Sequence, residues 1–281
     1  MKENQKYALI GYPLGYSLSP KFHNTFFEKN NIDAFYTSVP LKTTELGQFV
    51  NSRAYQGFNV TIPYKETIMP FLDDVSDSAK AIGAVNTVKI KNKGYIGTNT
   101  DYAGFQLILK EELQMTMVGK KIIIYGAGGA SRAIVYAALK QNASCITLID
   151  IDFQKVLELK KHFNNDSRIK IYTLNDVERY LKENILPSTD ILVNATPIGT
   201  EKTISKSVCS KDKLMCLSKY AVVIDIIYAP AKTKLLKEAN ELGLRNANGL
   251  GMLAGQGILA EKFWFGESLD YNTAINILKT K

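Results

Sequence analysis

Short apolar runs and helical patterns follow one another through the first hundred residues. Tyr7–Gly11 is short and uniformly apolar, which predicts a buried strand. Ser19-Pro20 predicts a helix start, with Ser19 as the N-cap and proline at the first helical position, and the helix runs to about Asn31. Strands separated by helices or loops indicate an α/β layer with a mixed sheet. Its other predicted strands are Phe35–Val39, Gly57–Ile62 and a hairpin of Val85–Ile90 with Tyr95–Thr98.

The pattern changes after residue 102. Tyr102–Met117 has apolar residues at helical spacing, and Ile122–Tyr125 is a continuous apolar run typical of a strand buried on both faces. Strand and helix then repeat, which predicts a Rossmann-type, doubly wound parallel sheet. The remaining strands are predicted at Ile146–Ile149, Ile169–Tyr172, Ile191–Val193 and Val222–Ile226, with helices that include Ala130–Lys140 and Phe153–Phe163.

These two patterns predict two α/β domains. Residues 103–249 form the dinucleotide-binding domain with the parallel sheet. Residues 1–102 form a substrate-binding domain with the mixed sheet. Residues 250–281 are helical and have no further strand to cover, so we expect them to return to the substrate-binding domain.

Composition narrows the possible partners. The 281 residues carry a formal net charge of +8, but the lysines are mixed with acids and form no basic block, so we predict no nucleic-acid binding. Neither a signal peptide nor a membrane-spanning run is recognisable, so no membrane contact is expected. Three cysteines without a pairing pattern indicate reduced thiols in the cytoplasm, and two scattered histidines indicate no metal site. We expect a monomer or a homodimer that acts on a small molecule.

A glycine-rich segment lies between a predicted buried strand and an alanine-rich helix. Gly126 permits a tight turn, and Gly128 lets backbone amides approach a pyrophosphate at the positive end of the helix. Ser131 is small enough for close packing of helix against strand. This context predicts a nicotinamide dinucleotide site, with a merely structural turn as the alternative. The segment reads Gly126-Ala127-Gly128-Gly129-Ala130-Ser131.

Asp150 ends the next strand, at the spacing expected for an acid that binds the ribose hydroxyls of the adenosine. A carboxylate there repels a 2′-phosphate, so we expect NAD to be favoured over NADP. The first basic residue after this strand is Lys155. The alternative is that Asp150 only caps the helix from Phe153, which carries no information on the cofactor.

Short polar groups stand at strand ends in the first domain. Hydroxyls and amides suit a polyhydroxylated ligand, and Lys65 with Asp101 could form an acid–base pair. Each group also has a structural explanation, because Ser19 suits a helix cap, Asn86 a turn and Lys65 a solvated helix start. The groups are Ser17-Leu18-Ser19-Pro20, Asn59-Val60-Thr61-Ile62-Pro63-Tyr64-Lys65, Ala84-Val85-Asn86-Thr87 and Thr98-Asn99-Thr100-Asp101.

In order and spacing, these groups resemble the shikimate dehydrogenase family over essentially the whole chain. The pattern G-x-P-x-x-x-S-x-S-P is followed by G-F-N-V-T-I-P-x-K, G-A-V-N-T and N-T-D, and then by the glycine-rich segment. The resemblance continues through Asn194-Ala195-Thr196-Pro197-Ile198-Gly199, Asp225-x-x-Tyr228-x-Pro230 and Gly249-x-Gly251-Met252-Leu253-x-x-Gln256.

The resemblance implies reversible hydride transfer between shikimate and 3-dehydroshikimate in a cleft between the two domains. It makes Lys65 the acid–base residue, paired with Asp101. Ser17 and Ser19 would hold the substrate carboxylate, and Tyr228 would line the cleft. The ring hydroxyls would be contacted by Asn59, Thr61, Asn86, Asp101 and Gln256. Beyond the glycine-rich segment and Asp150, the cofactor would contact Ala195, Thr196, Pro197, Ile226, Gly249 and Met252.

One departure from the family pattern concerns the cofactor. Asp150-Ile151-Asp152 replaces the Asn-Arg-Thr run that reads the NADP phosphate in the family. It resembles instead the branch that uses NAD and accepts quinate as well as shikimate. A dehydrogenase for an aminocyclitol or another shikimate-like acid shares most of these motifs. A non-catalytic dinucleotide sensor on the same scaffold is a further alternative, although it should have lost Lys65 and Asp101.

Overall fold

In the computed structural model, which describes residues 4–15, 17–173 and 181–280, the chain divides into two compact units. Unit 1 comprises Met1–Gly104 with Leu253–Lys281, and unit 2 comprises Phe105–Met252. Within the described residues each unit contains one six-stranded sheet. The predicted fold class, one mixed and one parallel α/β sheet, is confirmed.

The helices are numbered along the chain over the described residues. Most begin after a strand, as expected for an α/β protein. They are α1 (Ser19–Lys29), α2 (Leu46–Asn51), α3 (Asp77–Ile82), α4 (Asp101–Leu107), α5 (Gly129–Lys140), α6 (Phe153–His162), α7 (Lys211–Leu214), α8 (Lys234–Glu241), α9 (Leu250–Phe265) and α10 (Tyr271–Lys279).

The sheet of unit 1 is mixed. Its strands are β1 (Gln5–Gly11), β2 (Ala34–Pro40), β3 (Gly57–Val60), β4 (Asp74–Val75), β5 (Thr87–Lys91) and β6 (Gly94–Thr98). They lie in the order β2-β1-β3-β5-β6-β4. Strand β1 is parallel to β2 and β3, whereas β5 is antiparallel to β3 and β6. The predicted hairpin is therefore β5–β6.

Helix α1 starts one residue earlier than the sequence suggests. Leu18 takes the N-cap position, so Ser19 is the first helical residue and Pro20 the second. The predicted N-cap role of Ser19 is therefore wrong, and the apolar side chain of Leu18 makes no capping hydrogen bond at this end. Proline is tolerated there because its missing N–H belongs to the helix turn that has no intrahelical acceptor.

The helix expected over Tyr102–Met117 is shorter in the structure. Helix α4 ends at Leu107 and continues as a single π-helical segment, Ile108–Glu112. The apolar face is nevertheless buried as the spacing indicates, with Phe105 and Leu109 almost fully enclosed.

The sheet of unit 2 is parallel throughout. Its strands are β7 (Lys121–Tyr125), β8 (Cys145–Asp150), β9 (Ile169–Thr173), β10 (Ile191–Asn194), β11 (Val222–Asp225) and β12 (Arg245–Ala247). They lie in the order β12-β11-β10-β7-β8-β9. The direction of winding reverses between β7 and β10, and open sheets bind ligands beyond the carboxyl ends of their strands at such a point.

Candidate active site

Three strands of unit 1 bring polar side chains into one row. Asn59 of β3 lies opposite Thr87 of β5, and Thr87 lies opposite Thr98 of β6. Asn86 directly precedes β5, and Asp101 begins α4 shortly after β6. Because β5 and β6 are antiparallel, the start of one and the end of the other share one sheet edge. The fold thereby gathers residues that are far apart in the sequence.

Lys65 and Asp101 form a shielded ion pair at this edge. Lys65 Nζ lies 2.6 Å from Asp101 Oδ2, and the two side chains are 16% and 6% exposed. The other carboxylate oxygen accepts a hydrogen bond from Asn86 Nδ2 at 2.8 Å. The Asp101 amide donates to Asn99 Oδ1 at 3.0 Å. Neutral groups thus fix Asp101, and its Oδ2 accepts one of the three ammonium protons of Lys65. The other two ammonium protons point away from this carboxylate.

Both the nitrogen and the oxygen of the buried Asn86 side-chain amide are hydrogen-bonded. Its Nδ2 donates to Thr100 Oγ1 at 3.0 Å as well as to Asp101. Its Oδ1 accepts from the Thr100 amide at 2.7 Å and from the Thr87 hydroxyl at 3.1 Å. Asn86 is therefore more than a turn residue, because it orients Asp101. Thr87 and Thr100 stand in the polar groups noted in the sequence, but neither was among the predicted site residues.

The network extends to Asn59, which is buried in β3. Asn59 Nδ2 donates to Thr87 Oγ1 at 3.0 Å, and its Oδ1 accepts from the hydroxyl of Tyr36 at 2.7 Å. Tyr36 is a third residue that was not among the predicted site residues. Hydrogen bonds thus join four predicted site residues, listed here: Lys65, Asp101, Asn86 and Asn59.

The other predicted substrate residues of unit 1 lie outside this network. Ser17 is half-buried, and its hydroxyl accepts from the Ser19 amide at 3.2 Å. Thr61 is half-buried directly after β3. Gln256 is half-buried in α9 and donates from Nε2 to the Leu253 carbonyl at 3.0 Å. Within the described part of the chain, no side-chain hydrogen bond connects these four residues to Lys65 or Asp101.

The glycine-rich segment of unit 2 has the shape of a phosphate cradle. Gly126 has φ of +105°, and a Cβ there would lie 2.9 Å from the carbonyl oxygen of Ala195, so only glycine fits. A Cβ on Gly128 would meet nothing within 4 Å. Helix α5 begins at Gly129, and its N-cap residue, Gly128, has no side chain that could cap it. Its first N–H groups therefore have no hydrogen bond to a side chain of the N-cap residue, and such groups can bind the pyrophosphate of a dinucleotide.

The next two residues of α5 are Ala130 and Ser131. Ser131 is fully buried, which agrees with its predicted packing role. Ala127 precedes the helix and is buried within the turn.

Asp150 is bound to the backbone of this turn. Its Oδ2 accepts from the Ala127 amide at 2.9 Å, and its Oδ1 accepts from the Asp152 amide at 3.0 Å. The N-cap of α6 is Asp152, which accepts from the Gln154 amide. Both oxygens of Asp150 thus have a structural use, because Oδ2 holds the glycine turn against the end of β8 and Oδ1 holds the backbone that follows β8.

A second buried network lies at the carboxyl ends of β10 and β11. Asn194 accepts from Thr196 Oγ1 at 2.7 Å and donates to Asp225 Oδ1 at 3.0 Å. Asp225 Oδ2 accepts from the Thr233 hydroxyl at 2.7 Å. Burial raises the pKa of the Asp225 carboxyl above its usual value. We did not assign roles to Asn194, Asp225 or Thr233 from the sequence, although the first two stand inside recognised motifs.

Parallel register aligns the residues that follow these strands. Asn194 lies beside both Tyr125 and Asp225, so Ala195 and Ile226 continue at the edge where Gly126 turns. Gly249 approaches this edge so closely that a Cβ would lie 1.8 Å from the Ile226 carbonyl oxygen. The other predicted residues of unit 2 are an exposed Pro197, a half-buried Tyr228 and a buried Met252.

The described residues also bear on two other features, a metal site and a membrane-spanning helix. No group of three or more His, Cys, Asp or Glu residues there is arranged to hold a metal ion. No helix among them is long and apolar enough to cross a membrane.

Comparison with known proteins places these features in one family. A family model described as the shikimate dehydrogenase substrate binding domain matches residues 9–88. A curated relative from Clostridium perfringens (strain SM101), named shikimate dehydrogenase (NADP(+)), is 40% identical over 274 residues, or 96% of each chain. A relative of the same name from Shouchella clausii is 35% identical and covers 93% of each chain.

Solved structures are similar to this chain over nearly its whole length. A shikimate dehydrogenase in complex with NADP+ has a TM-score of 0.88 at 34% identity, covering 98% of this chain and 94% of that chain. Shikimate 5-dehydrogenase from Listeria monocytogenes, in complex with shikimate and NAD, has a TM-score of 0.88 at 30% identity, covering 99% and 97%.

These findings correct the expected cofactor. The preference for NAD that we expected from Asp150 is wrong, because the curated relatives are named for NADP(+) and a matching structure contains NADP+. The physical reason is the position of the carboxylate. Asp150 binds the amides of Ala127 and Asp152, so its presence is explained without any contact to the ribose and does not report on a 2′-phosphate.

Proposed function

This chain belongs to the shikimate dehydrogenase family, and we propose that it interconverts shikimate and 3-dehydroshikimate with NADP, using Lys65 and Asp101 as its acid–base pair. The chain is accordingly an oxidoreductase that acts on a CH–OH group. One observation carries the residue assignment: Lys65 Nζ is 2.6 Å from a buried carboxylate oxygen, within a network of neutral hydrogen-bonding groups.

The chemistry needs a proton donor where negative charge develops. In the direction of ketone reduction, the ammonium of Lys65 stabilises the forming alkoxide and gives it a proton. In the direction of shikimate oxidation, the same nitrogen takes the proton from the hydroxyl. Asp101 orients the nitrogen throughout, because its other oxygen is fixed by Asn86. When bound, the nicotinamide supplies the hydride acceptor or donor.

The substrate roles are assigned by motif. Ser17 and Ser19 bind the carboxylate near the start of α1, and Tyr228 contacts the bound substrate. We propose that unit 1 is the substrate-binding domain, which the match of residues 9–88 supports. Unit 2 is then the dinucleotide-binding domain. The groups assigned to ring hydroxyls are Asn59, Thr61, Asn86, Asp101 and Gln256.

The dinucleotide is assigned to the turn between β7 and α5. The unfilled space beside Gly128 and the uncapped start of α5 support a pyrophosphate there. The other cofactor contacts are proposed at the ends of β10 and β11 and near α9, at Ala195, Thr196, Pro197, Ile226, Gly249 and Met252.

Two further proposals concern the cellular location and the oligomeric state of the enzyme. A reducing compartment, the cytoplasm, suits the free thiols of Cys145, Cys209 and Cys216. A monomer or a homodimer is proposed, and sedimentation of the purified protein measures which one forms.

A substrate panel against both cofactors tests the proposal. Purified protein receives shikimate, quinate or an aminocyclitol acid with either NADP or NAD, and the absorbance of the reduced nicotinamide is followed. We expect the largest kcat/KM for shikimate with NADP. A larger value for quinate or the aminocyclitol acid would reassign the substrate. Cofactor binding by calorimetry without turnover of any acid would indicate a dinucleotide sensor instead.

A further inference from the structure

Tyr36 is a buried tyrosine of β2 that contacts a proposed substrate residue. Its side chain is 2% exposed, and its hydroxyl donates to Asn59 Oδ1 at 2.7 Å. Burial raises the pKa of the phenol well above its usual value. The hydroxyl therefore keeps its proton and acts as a permanent donor to Asn59.

The hydrogen bonds of Asn59 leave very little of its amide free. The two Nδ2 hydrogens go to Thr87 Oγ1 at 3.0 Å and to the Asn86 carbonyl oxygen at 3.3 Å. An amide oxygen has two lone pairs, and one of them on Oδ1 is taken by Tyr36. One acceptor position remains.

The reverse orientation of this amide is excluded by its neighbours. If the amide turned over, Oδ1 would face the carbonyl oxygen of Asn86, and two acceptors would meet without a proton between them. Tyr36 favours the observed orientation of the amide, since its hydroxyl donates a hydrogen bond to Oδ1 in that orientation.

Tyr36 is held in place through both its backbone and its ring. The Tyr36 backbone exchanges hydrogen bonds with the side chain of Asn24, at 2.7 and 2.9 Å. The imidazole of His23 lies against the phenol, with ring centroids 4.5 Å apart. His23 is in turn bound to the buried carboxylate of Glu261, at 3.3 Å. The hydroxyl is therefore placed before any ligand arrives.

We propose that Tyr36 is a positioning residue for the substrate. It fixes the Asn59 amide so that one lone pair of Oδ1 is presented to a ring hydroxyl, which makes this position specific for a hydrogen-bond donor. The inference rests on the proposed function, because it requires Asn59 to contact shikimate. A deoxy analogue that lacks this hydroxyl loses the contact.

Tyr36→Phe tests the role, and Tyr7→Phe is the matched control. Tyr7 lies beside Tyr36 in the β1–β2 register and belongs to the same buried cluster, but its hydroxyl bonds only Gln5 Oε1 among the described residues, at 3.3 Å. Loss of one neutral hydrogen bond predicts that Tyr36→Phe raises KM for shikimate about 2- to 12-fold. We expect kcat and KM for NADP to stay within about twofold of wild type, because the Tyr36 hydroxyl bonds Asn59 and neither member of the Lys65–Asp101 pair.

A double-mutant cycle separates positioning from general stability. If Tyr36 acts through Asn59, then Tyr36→Phe added to Asn59→Ala raises KM for shikimate no further. Equal effects of Tyr36→Phe and Tyr7→Phe, or a full effect of Tyr36→Phe in the Asn59→Ala background, would overturn the inference. So would a wild-type KM in Tyr36→Phe with only a lowered melting temperature.

The wild-type assay keeps the two hypotheses distinct. If wild type turns over shikimate and Tyr36→Phe has the same KM for shikimate as wild type, only the positioning role is refuted. No turnover of shikimate by the folded wild type refutes the proposed function, and the positioning role is refuted with it.

Discussion

Replacement of Lys65 by alanine has two effects that the structure lets us separate. The first is on rate, because the variant lacks the proton donor at the reacting oxygen. One general acid–base group contributes about 10²–10⁴-fold. This corresponds to a barrier about 2.7–5.5 kcal/mol higher. We expect kcat to fall by this factor both for shikimate oxidation and for 3-dehydroshikimate reduction.

The second effect is on stability. Lys65 and Asp101 are 16% and 6% exposed, so the alanine variant leaves a shielded carboxylate without its cation. Breaking a fully buried pair costs about 3–5 kcal/mol. Here the lysine is partly solvated and Asp101 keeps its bond from Asn86, so we expect a loss of about 1–3 kcal/mol in the free energy of unfolding.

The assay compares Lys65→Ala with Lys80→Ala. Lys80 belongs to an exposed pair with Asp74, 3.6 Å apart, with side chains 58% and 64% exposed. Such pairs contribute about 0–1 kcal/mol, so this control should keep both rate and stability. Urea unfolding gives the stability, and the rate is measured where both variants are folded. A folded Lys65→Ala enzyme within tenfold of the wild-type kcat would refute the acid–base assignment.

Three other predictions concern unit 2. Gly126→Ala should lower the unfolding free energy by about 1–3 kcal/mol, because φ is +105° and the new Cβ meets the Ala195 carbonyl. Gly128→Ala should change it by less than about 0.5 kcal/mol yet weaken NADP binding in calorimetry, since its Cβ enters open space beside the helix start. In the pH dependence of urea unfolding, wild type should gain stability over Asp225→Asn as pH falls towards 3.8, because burial raises the Asp225 pKa in the folded state. The gain should vanish as pH rises through that pKa, and a pH-independent difference would contradict the assignment.

Hydrophobic spacing was sufficient to predict the two sheets but not their edges. The long apolar strands are buried on both faces, so their pattern is strong. Strand β12 was missed because Arg245–Ala247 has three residues and lies at a sheet edge, where polar side chains are tolerated. The end of α4 was misplaced because a π-helical segment keeps the same apolar residues buried.

The site was predictable where residues share a motif, and less so where contacts cross strands. Lys65 and Asp101 follow from their motifs, whereas Tyr36 reaches Asn59 only through the register of β1, β2 and β3. The NAD preference failed for a similar reason. A sequence gives the position of Asp150 but not the amides that its oxygens accept from.

Isotope transfer tests the central claim most directly. Shikimate that carries deuterium on the ring carbon that becomes the ketone is oxidised by the purified protein with NADP, and the mass of the reduced cofactor is measured. We expect reduced cofactor that carries the deuterium, formed at least about 100-fold more slowly by Lys65→Ala than by wild type. Reduced cofactor without deuterium, or no reduced cofactor from folded wild-type protein, would contradict it.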